Sequence, residues 1–216
     1  MNKNFAMSYS GGKDSLLALY HLIKLGYTPK VIYTIFNESI KGGNYHSLSI
    51  ELLNRVSKSI EIPIEYLHKS YSDIYQDVYP EFLSSLKKYD IQYCAFGDIF
   101  LEGSKFSNTM FCEKAGLEAL FPLWGLDENE VVNSFIRCGF KGLVKAVDVT
   151  RVSETILGCP IDQELLNHLR KSDISLCGEY GEYHTFVYDG PIFKYPITFN
   201  INGIVENTPY KTLLLQ

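Results

Sequence analysis

The first hundred residues alternate between short apolar runs and longer amphipathic segments. Apolar runs of this length predict strands covered on both faces, whereas apolar residues spaced three or four apart predict helices. Gly26 is expected to end the first helix, and Pro80 is expected to kink or break a later one. The predicted strands are 5–9, 31–36, 62–67 and 92–96, and the predicted helices are 14–25, 47–60 and 73–89. This order of elements predicts a parallel sheet with helices on both faces.

The pattern changes after Gly97, where turn residues become more frequent. The predicted helices are now 108–115, 131–138 and 162–171, and the predicted strand 140–147 is followed by strands and turns from residue 183. Asp127, with Glu130 three residues later, is expected to cap the second of these helices. The turn or helix-end signals are Gly116, 121–125, 189–191 and Asn202-Gly203. We therefore predict an α/β fold with domains at 1–124 and 125–216, the second being a smaller α+β domain.

Composition narrows the class of protein. Hydrophobic residues make up 46% of the chain and charged residues 21%, which is typical of a compact domain. The apolar runs are too short to span a bilayer, and the first residues do not form a signal peptide. The 5 cysteines include no CxxC pair, so we expect reduced thiols and a cytoplasmic protein. The net charge of −5 argues against general nucleic-acid binding, because a basic surface normally supplies that affinity.

A glycine-rich loop, Ser10-Gly11-Gly12-Lys13-Asp14-Ser15, joins the first predicted strand to the first predicted helix. Without glycine side chains, backbone amides can approach phosphate oxygens, and the helix N-terminus adds unpaired N–H groups. The loop has neither the Walker A spacing nor the glycine pattern of dinucleotide-binding loops. A carboxylate beside phosphates is repulsive unless a cation lies between them, so Asp14 predicts magnesium. We expect an ATP site here; the alternative is an ordinary glycine-rich turn.

A second polar cluster stands before a predicted strand near the C-terminus, and it contains Glu179, Glu182 and His184. Carboxylates and an imidazole in this position can bind a cationic group, hold magnesium or position a nucleophile. From the residues alone, a solvated acidic turn is an equally good interpretation. Asp98 also has two interpretations: it is a magnesium ligand shared with Asp14, or it forms an N-cap or an Asx turn.

The loop at 10–15 resembles the PP-loop signature of the ATP pyrophosphatases, which split ATP into AMP and pyrophosphate. Together with the segment Glu-Tyr-Gly-Glu-Tyr-His-Thr at 179–185, it resembles the diphthine–ammonia ligase family. His46, Gly97-Asp98-Ile99, residues 122–124 and residues 189–191 fit the same family. The resemblance implies a PP-loop fold, whose parallel sheet has five strands and binds ATP at their carboxyl ends. It also implies a ligase that uses ATP and ammonium to amidate the carboxylate of diphthine on elongation factor two.

The loop chemistry and the resemblance together assign individual roles. The expected catalytic residues are Lys13, Asp14, Glu179, Glu182 and His184. The expected nucleotide-binding residues are Ser10, Gly11, Gly12, Lys13, Asp14, Ser15, His46 and Gly97. The expected metal ligands are Asp14 and Asp98, and the expected cofactors are ATP and Mg²⁺.

Two departures from the family leave the acceptor open. Tyr180 stands where the family usually has glycine, and a positive φ there would strain a tyrosine. Residues 100–108 contain none of the arginines usual in that segment. The acceptor is therefore diphthine, if the host makes diphthamide, or a different small carboxylic acid. A tRNA-modifying sulfur-transfer enzyme and a nucleotide-sensing module without catalysis are the remaining alternatives, and the strand-rich C-terminal part can supply the edge of a homodimer.

Overall fold

The computed structural model describes residues 2–37, 48–69 and 74–216. Its internal contacts divide the chain into two compact units. The first unit contains the described residues 2–10, 14–37, 61–69 and 74–125, and the second contains Gly11–Lys13, residues 48–60 and Leu126–Gln216. The middle of the glycine-rich loop therefore belongs to the second unit, although its two ends belong to the first. The domain bounds 1–124 and 125–216 remain predictions, and His46 lies outside the described residues.

A parallel sheet forms the centre of the first unit. Its strands are β1 (Asn4–Ser8), β2 (Thr28–Asn37), β3 (Ile64–Lys69), β4 (Tyr93–Ala95) and β5 (Glu118–Leu120). They lie in the order β3-β2-β1-β4-β5, and every neighbouring pair is parallel. The predicted five-stranded parallel sheet is confirmed. β5 was not predicted, because its three residues carry too short an apolar run to signal a strand.

Helices separate most of these strands along the chain. The α-helices of the described residues are α1 (Lys13–Lys24), α2 (Ile50–Ile60), α3 (Tyr75–Ser85), α4 (Glu102–Ala115), α5 (Glu128–Arg137) and α6 (Gln163–Lys171). None of them combines the length and the apolar composition needed to cross a membrane. Their alternation with β1–β5 gives the predicted α/β architecture.

Specific residues fix the ends of these helices. Gly26 adopts a φ of 79° after α1, and the N–H of Tyr27 reaches back to the carbonyl of Leu22 at 3.0 Å. Gly116 ends α4 in the same left-handed conformation, with a φ of 67°. Glycine adopts this conformation without the cost that a Cβ imposes, so both predicted helix ends are confirmed. Asp127 caps α5, because its carboxylate accepts from the N–H groups of the first turn.

Two local predictions are wrong, and a third is wrong in part. Pro80 does not break its helix, because α3 continues to Ser85 and a 3₁₀ turn follows at Leu86–Tyr89; a kink at Pro80 stays a prediction. The helix predicted at 108–115 begins at Glu102, because the polar first turns of α4 carry little amphipathic signal. Asn202-Gly203 does not form a turn but lies inside the strand Ile201–Asn207, where an irregularity in strand pairing accommodates the glycine.

The core of the first unit contains a buried pair of tyrosines. The hydroxyls of Tyr33 on β2 and Tyr79 on α3 lie 2.9 Å apart and share a hydrogen bond. Burial raises the pKa of both phenols well above the usual range, so both remain neutral. Because each hydroxyl satisfies the other, the large aromatic side chains can fill the core without leaving a polar group unpaired.

The second unit contains an antiparallel sheet. Its strands are β6 (Lys141–Asp148), β7 (Tyr183–Asp189), β8 (Ile201–Asn207) and β9 (Tyr210–Leu215), in the order β7-β6-β9-β8. This separate sheet, with α5 and α6, confirms the predicted α+β character of the C-terminal part. The pairing of β6 with β7 shifts between Val144 and Ala146, so Lys145 stands at an irregularity of a buried strand.

Gly97 follows β4 and brings the chain close to the start of α1. A Cβ at this position would lie 2.9 Å from the carbonyl carbon of Asp14 and 2.9 Å from the nitrogen of Ser15. Both are backbone atoms, which cannot move aside without displacing the first turn of the helix. The absence of a side chain at Gly97 therefore permits this close approach.

We expect Gly97→Ala to destabilise the protein by about 1–3 kcal/mol and to weaken ATP binding, because the added methyl displaces the start of α1. Gly103→Ala is the matched control, since a Cβ there meets nothing within 4 Å and lies inside α4. The control should gain about 0.5–1 kcal/mol from helix propensity. Chemical unfolding measures both changes. Equal stability of the two variants would contradict the role given to Gly97.

Candidate functional site

Strand β7 holds the glycine-rich loop by its backbone. The N–H of Val187 donates to the carbonyl of Gly11 at 2.9 Å. The N–H of Lys13 donates to Thr185 Oγ1 at 3.0 Å. These bonds fix the backbone on both sides of Gly12. The loop amides are therefore oriented by the fold itself, which is the preorganisation that anion binding favours.

The side chain of Lys13 is buried in the second unit, with 2% of its surface exposed. Its ammonium donates to the carbonyl of Cys177 and lies 5.5 Å from the ring centre of Tyr183. The Tyr183 hydroxyl in turn donates to the carbonyl of Leu176. The charge of Lys13 is therefore directed toward the segment that precedes β7, and an aromatic ring lies beside it.

The ends of the loop are closed by two serines. The hydroxyls of Ser10 and Ser15 lie 3.2 Å apart, and the N–H of Ser10 donates to Ser15 Oγ at 3.4 Å. Asp14 occupies the first turn of α1, where the helix N-terminus stabilises negative charge. The predicted phosphate-binding groups of the loop thus form one continuous turn from strand to helix.

Asp98 is held by side chains of α4. Its Oδ1 accepts from the hydroxyl of Ser104, and its Oδ2 accepts from the side-chain amide of Asn108 at 3.3 Å. Burial raises the pKa of this carboxyl above its ordinary value. Within the described residues, no group of three or more His, Cys, Asp and Glu side chains has metal-binding geometry. As a metal ligand, Asp98 therefore stays a prediction, and its oxygens already accept two hydrogen bonds.

Two glycines shape the loop in front of β7. Gly178 and Gly181 adopt φ values of 66° and 84°, in the left-handed region. A Cβ on Gly178 would lie 2.8 Å from the carbonyl oxygen of Tyr183, so this glycine is also needed for close packing. Tyr180 does not adopt a positive φ, and 59% of its surface is exposed. The strain considered for a tyrosine at this position is therefore not present.

Glu182 supports this loop from inside. Its Oε1 lies 3.1 Å from Nη2 of Arg151, and its Oε2 accepts from the N–H of Tyr180 at 3.1 Å. Arg151 also donates to the carbonyl of Tyr180. Both carboxylate oxygens of Glu182 are therefore engaged, whereas Glu179 lies partly exposed in the loop, and the roles of both residues stay predictions. Arg151 was missed, since nothing near it in the sequence connects it to this cluster.

His184 lies on β7 and is neutral at pH 7. Its ring centre is 5.7 Å from that of Tyr210. Burial, followed by the positive charges of Lys145 and Lys13, lowers the pKa of His184 to about 4. A neutral imidazole can accept a hydrogen bond from a substrate N–H or O–H group. The predicted site residues Lys13 and His184 are therefore electrostatically coupled within the second unit.

Lys145 is a buried charged residue of the same unit that sequence reasoning missed. Its side chain is 0% exposed, and in the described part of the chain its ammonium nitrogen has no hydrogen-bond partner. Burial lowers the pKa of this amine to about 7. A lysine in the middle of the apolar run 140–147 was the available signal, because a buried lysine normally requires a partner.

We expect Thr185→Val to weaken ATP binding and to cost about 1–3 kcal/mol of stability, because the buried N–H of Lys13 loses its acceptor. Valine has nearly the same shape, so packing changes little. Thr155→Val is the control, since Thr155 is exposed and its hydrogen bonds to described residues are local. Its effect on stability should stay within about 0.5 kcal/mol. Calorimetric titration measures the ATP affinity of both variants, and thermal unfolding measures their stability. Unchanged ATP affinity in Thr185→Val would contradict this role of the bond.

We expect Lys145→Met to raise the stability of the ligand-free protein at pH 7 by about 2–4 kcal/mol, because it removes a buried amine that has no partner among the described residues. The folded-state pKa of about 7 lies below the ordinary value of 10.5, so the unfolded chain binds more protons between these values. The penalty is therefore complete below pH 7 and disappears as the pH rises toward 10.5. Chemical unfolding of the wild type and Lys145→Met at pH 7 and at about pH 9.5 measures the difference in their free energies of unfolding. An equal gain in stability at both pH values would be the contrary result.

Comparison with known proteins identifies the family. Residues 3–119 match the diphthamide synthase N-terminal domain, and residues 127–207 match the diphthamide synthase C-terminal domain. A diphthine–ammonia ligase of Schizosaccharomyces pombe is 24% identical over 229 residues, covering 96% of this chain and 38% of that protein. A diphthine–ammonia ligase of Bos taurus is 21% identical over 224 residues, covering 92% of this chain and 84% of that protein. The chain thus spans less than half of the Schizosaccharomyces pombe relative.

One solved structure is also similar: the crystal structure of a predicted subunit of tRNA methyltransferase from Methanocaldococcus jannaschii. The matched region covers 87% of this chain and 97% of that chain, at 18% identity and a TM-score of 0.47.

The two domain matches confirm the resemblance predicted from the loop and the 179–185 motif. The relatives are named as ligases, which confirms the predicted enzyme class at the level of the family. The chain belongs to the diphthamide synthase family.

Proposed function

We propose that this protein is an ATP-dependent amide ligase that adenylates a substrate carboxylate, releases pyrophosphate and transfers the acyl group to ammonia. The observation that supports it best is the pair of hydrogen bonds joining Gly11 and Lys13 to Val187 and Thr185. Through these bonds the amides suited to phosphate share one compact unit with the strand that carries His184. Phosphate recognition and acyl transfer require such proximity.

The loop would hold the terminal phosphates of ATP. The amides of Gly11 and Gly12 supply donors, and Ser10 and Ser15 supply hydroxyls, whereas the N–H of Lys13 is engaged by Thr185. The N-terminus of α1 adds its partial positive charge at the same place. These donors stabilise the negative charge that develops on the departing pyrophosphate, which is where electrostatic catalysis acts.

Asp14 is the residue that fits a magnesium ion best, because its carboxylate stands in the first turn of α1 beside the proposed phosphate site. Asp98 is the second candidate, although Ser104 and Asn108 already donate to its oxygens. When bound, the ion would offset the repulsion between carboxylate and phosphates and stabilise the charge on pyrophosphate.

The reaction then has two steps. An oxygen of the acceptor carboxylate attacks the α-phosphorus, and the bond to the bridging oxygen of the β-phosphate breaks, which releases pyrophosphate. Ammonia next attacks the acyl carbon, AMP leaves, and the amide remains after loss of a proton. His184 is neutral at pH 7 and can orient ammonia by accepting an N–H hydrogen bond. Glu182 keeps the preceding loop in place through Arg151.

The names of the relatives support diphthine as the acceptor carboxylate. The family resemblance implies that this diphthine is carried by elongation factor two. The absence of arginine from residues 100–108 supports the second candidate, a different small carboxylic acid. We test both with purified protein, ATP, Mg²⁺ and ammonium, adding either diphthine-bearing elongation factor or a panel of small carboxylic acids. AMP and pyrophosphate should form together with the matching acceptor. ADP and inorganic phosphate would rule out cleavage between the α- and β-phosphates.

We expect Asp14→Asn to lower the rate of pyrophosphate release by about 100-fold or more, because it removes the proposed magnesium ligand. Asp77→Asn is the matched control, since it neutralises a first-turn carboxylate on another helix, α3. The control should retain its rate. Circular dichroism and thermal unfolding check that both variants fold. Normal turnover by folded Asp14→Asn would remove the proposed role of this carboxylate.

A further inference from the structure

The proposed reaction leaves the buried amine of Lys145 unexplained. Lys145 lies on β6, is 0% exposed, and its ammonium nitrogen has no hydrogen-bond partner among the described residues. A buried charge without a partner is costly, and natural sequences rarely keep one unless it binds something. The irregular pairing between Val144 and Ala146 makes Lys145 the residue at which β6 departs from its regular register with β7.

The surroundings of Lys145 connect it to the glycine-rich loop. Its neighbour Val144 pairs with Thr185, whose hydroxyl accepts from the N–H of Lys13. His184 pairs with Ala146 on the other side of the irregularity and is influenced by the charges of both Lys145 and Lys13. The charges of two buried lysines thus act on one histidine. The ammonium groups of these two lysines can attract an anionic ligand.

Several charged groups lie on the adjoining elements. Glu182 pairs with Arg151, and Lys211 on β9 pairs with Glu154 and Glu206. Asp148 accepts from the neutral hydroxyl of Thr150. Tyr210 on β9 faces Asp148 and has a raised pKa, chiefly through burial, so it stays neutral. The proton on Lys145 therefore depends mainly on burial and on any anion that binds beside it.

We infer that the ammonium of Lys145 binds the α-phosphate of the nucleotide, as an extension of the loop site that begins at Gly11 and Lys13. This inference rests on the proposed function, in which the loop holds the terminal phosphates. The α-phosphate is then the remaining anionic group of ATP and the group under attack. A cation beside it reduces its repulsion of the incoming carboxylate and stabilises AMP as a leaving group.

A proton-linked binding measurement tests the inference. In the ligand-free protein the amine has a pKa of about 7, so it is mostly neutral at pH 8. A bound phosphate raises that pKa, and binding should therefore take up about one proton at pH 8 and fewer at pH 6. Calorimetric titration in two buffers of different ionisation heat counts these protons. The ligands are AMP, pyrophosphate and α,β-methylene-ATP, an analogue that cannot be cleaved between the α- and β-phosphates.

We expect proton uptake at pH 8 with AMP and α,β-methylene-ATP, and none at Lys145 with pyrophosphate. Lys145→Met should abolish that uptake and weaken AMP binding by about tenfold or more, since a charge-assisted bond is lost. Pyrophosphate affinity should remain unchanged, which also shows that the variant folds. Lys141→Met is the matched control: it removes an exposed lysine from the same strand, and it should behave as the wild type.

The contrary outcomes are distinct. Equal proton uptake and equal AMP affinity in wild type and Lys145→Met would overturn the inference and leave the proposed function intact. Uptake with pyrophosphate, in place of AMP, would overturn the α-phosphate assignment. Failure of the wild type to bind α,β-methylene-ATP at all would contradict the proposed function itself.

The affinity of the wild type for AMP provides a test that needs no variant. This affinity should weaken as the pH rises above about 7, because the amine of Lys145 then loses its proton.

Discussion

Two hydrogen bonds between the glycine-rich loop and β7 underlie the whole candidate site. Val187 donates to Gly11, and Lys13 donates to Thr185, a partner 172 residues away in the chain. Between them Gly11 adopts a φ of 81°, a conformation that residues with a Cβ rarely take. The loop amides are thus aligned by a distant strand, and the cost of ordering them is met during folding and not during ligand binding.

The same unit buries charged side chains of both signs. Glu182 is buried and paired with Arg151, so it contributes order to the 178–182 loop without adding net charge. Lys13 and Lys145 are also buried, and burial together with their charges holds His184 neutral. The ammonium of Lys145 is buried without a hydrogen-bond partner among the described residues, which lowers the stability of the ligand-free protein. Binding of an anion beside it restores that stability. A site that binds nucleotide phosphates gains affinity from this arrangement, which is why we connect Lys145 with the substrate and not with the core.

Sequence predicted the features that depend on local pattern. The period of apolar residues gave four of the strands in the parallel sheet, Gly26 and Gly116 marked helix ends, and the 10–15 and 179–185 motifs indicated the family. It missed features that depend on pairing between distant segments. β5 has only three residues and is a strand because β4 lies beside it. Asn202-Gly203 looks like a turn, yet pairing with β9 keeps it within β8. The local sequence around Arg151 does not reveal that it pairs with Glu182, and the burial of Lys145 depends on the sheet around it.

The central claim is that the loop and β7 together activate a carboxylate by adenylation. The most direct measurement follows a heavy-oxygen label placed in the carboxylate of the acceptor. Attack of that carboxylate on the α-phosphorus transfers one labelled oxygen to AMP when ammonia later displaces it, and mass spectrometry of the nucleotide detects the transfer. Labelled AMP together with unlabelled pyrophosphate is the expected result. Label in inorganic phosphate, with unlabelled nucleotide, would show attack at the γ-phosphorus and would contradict activation by adenylation.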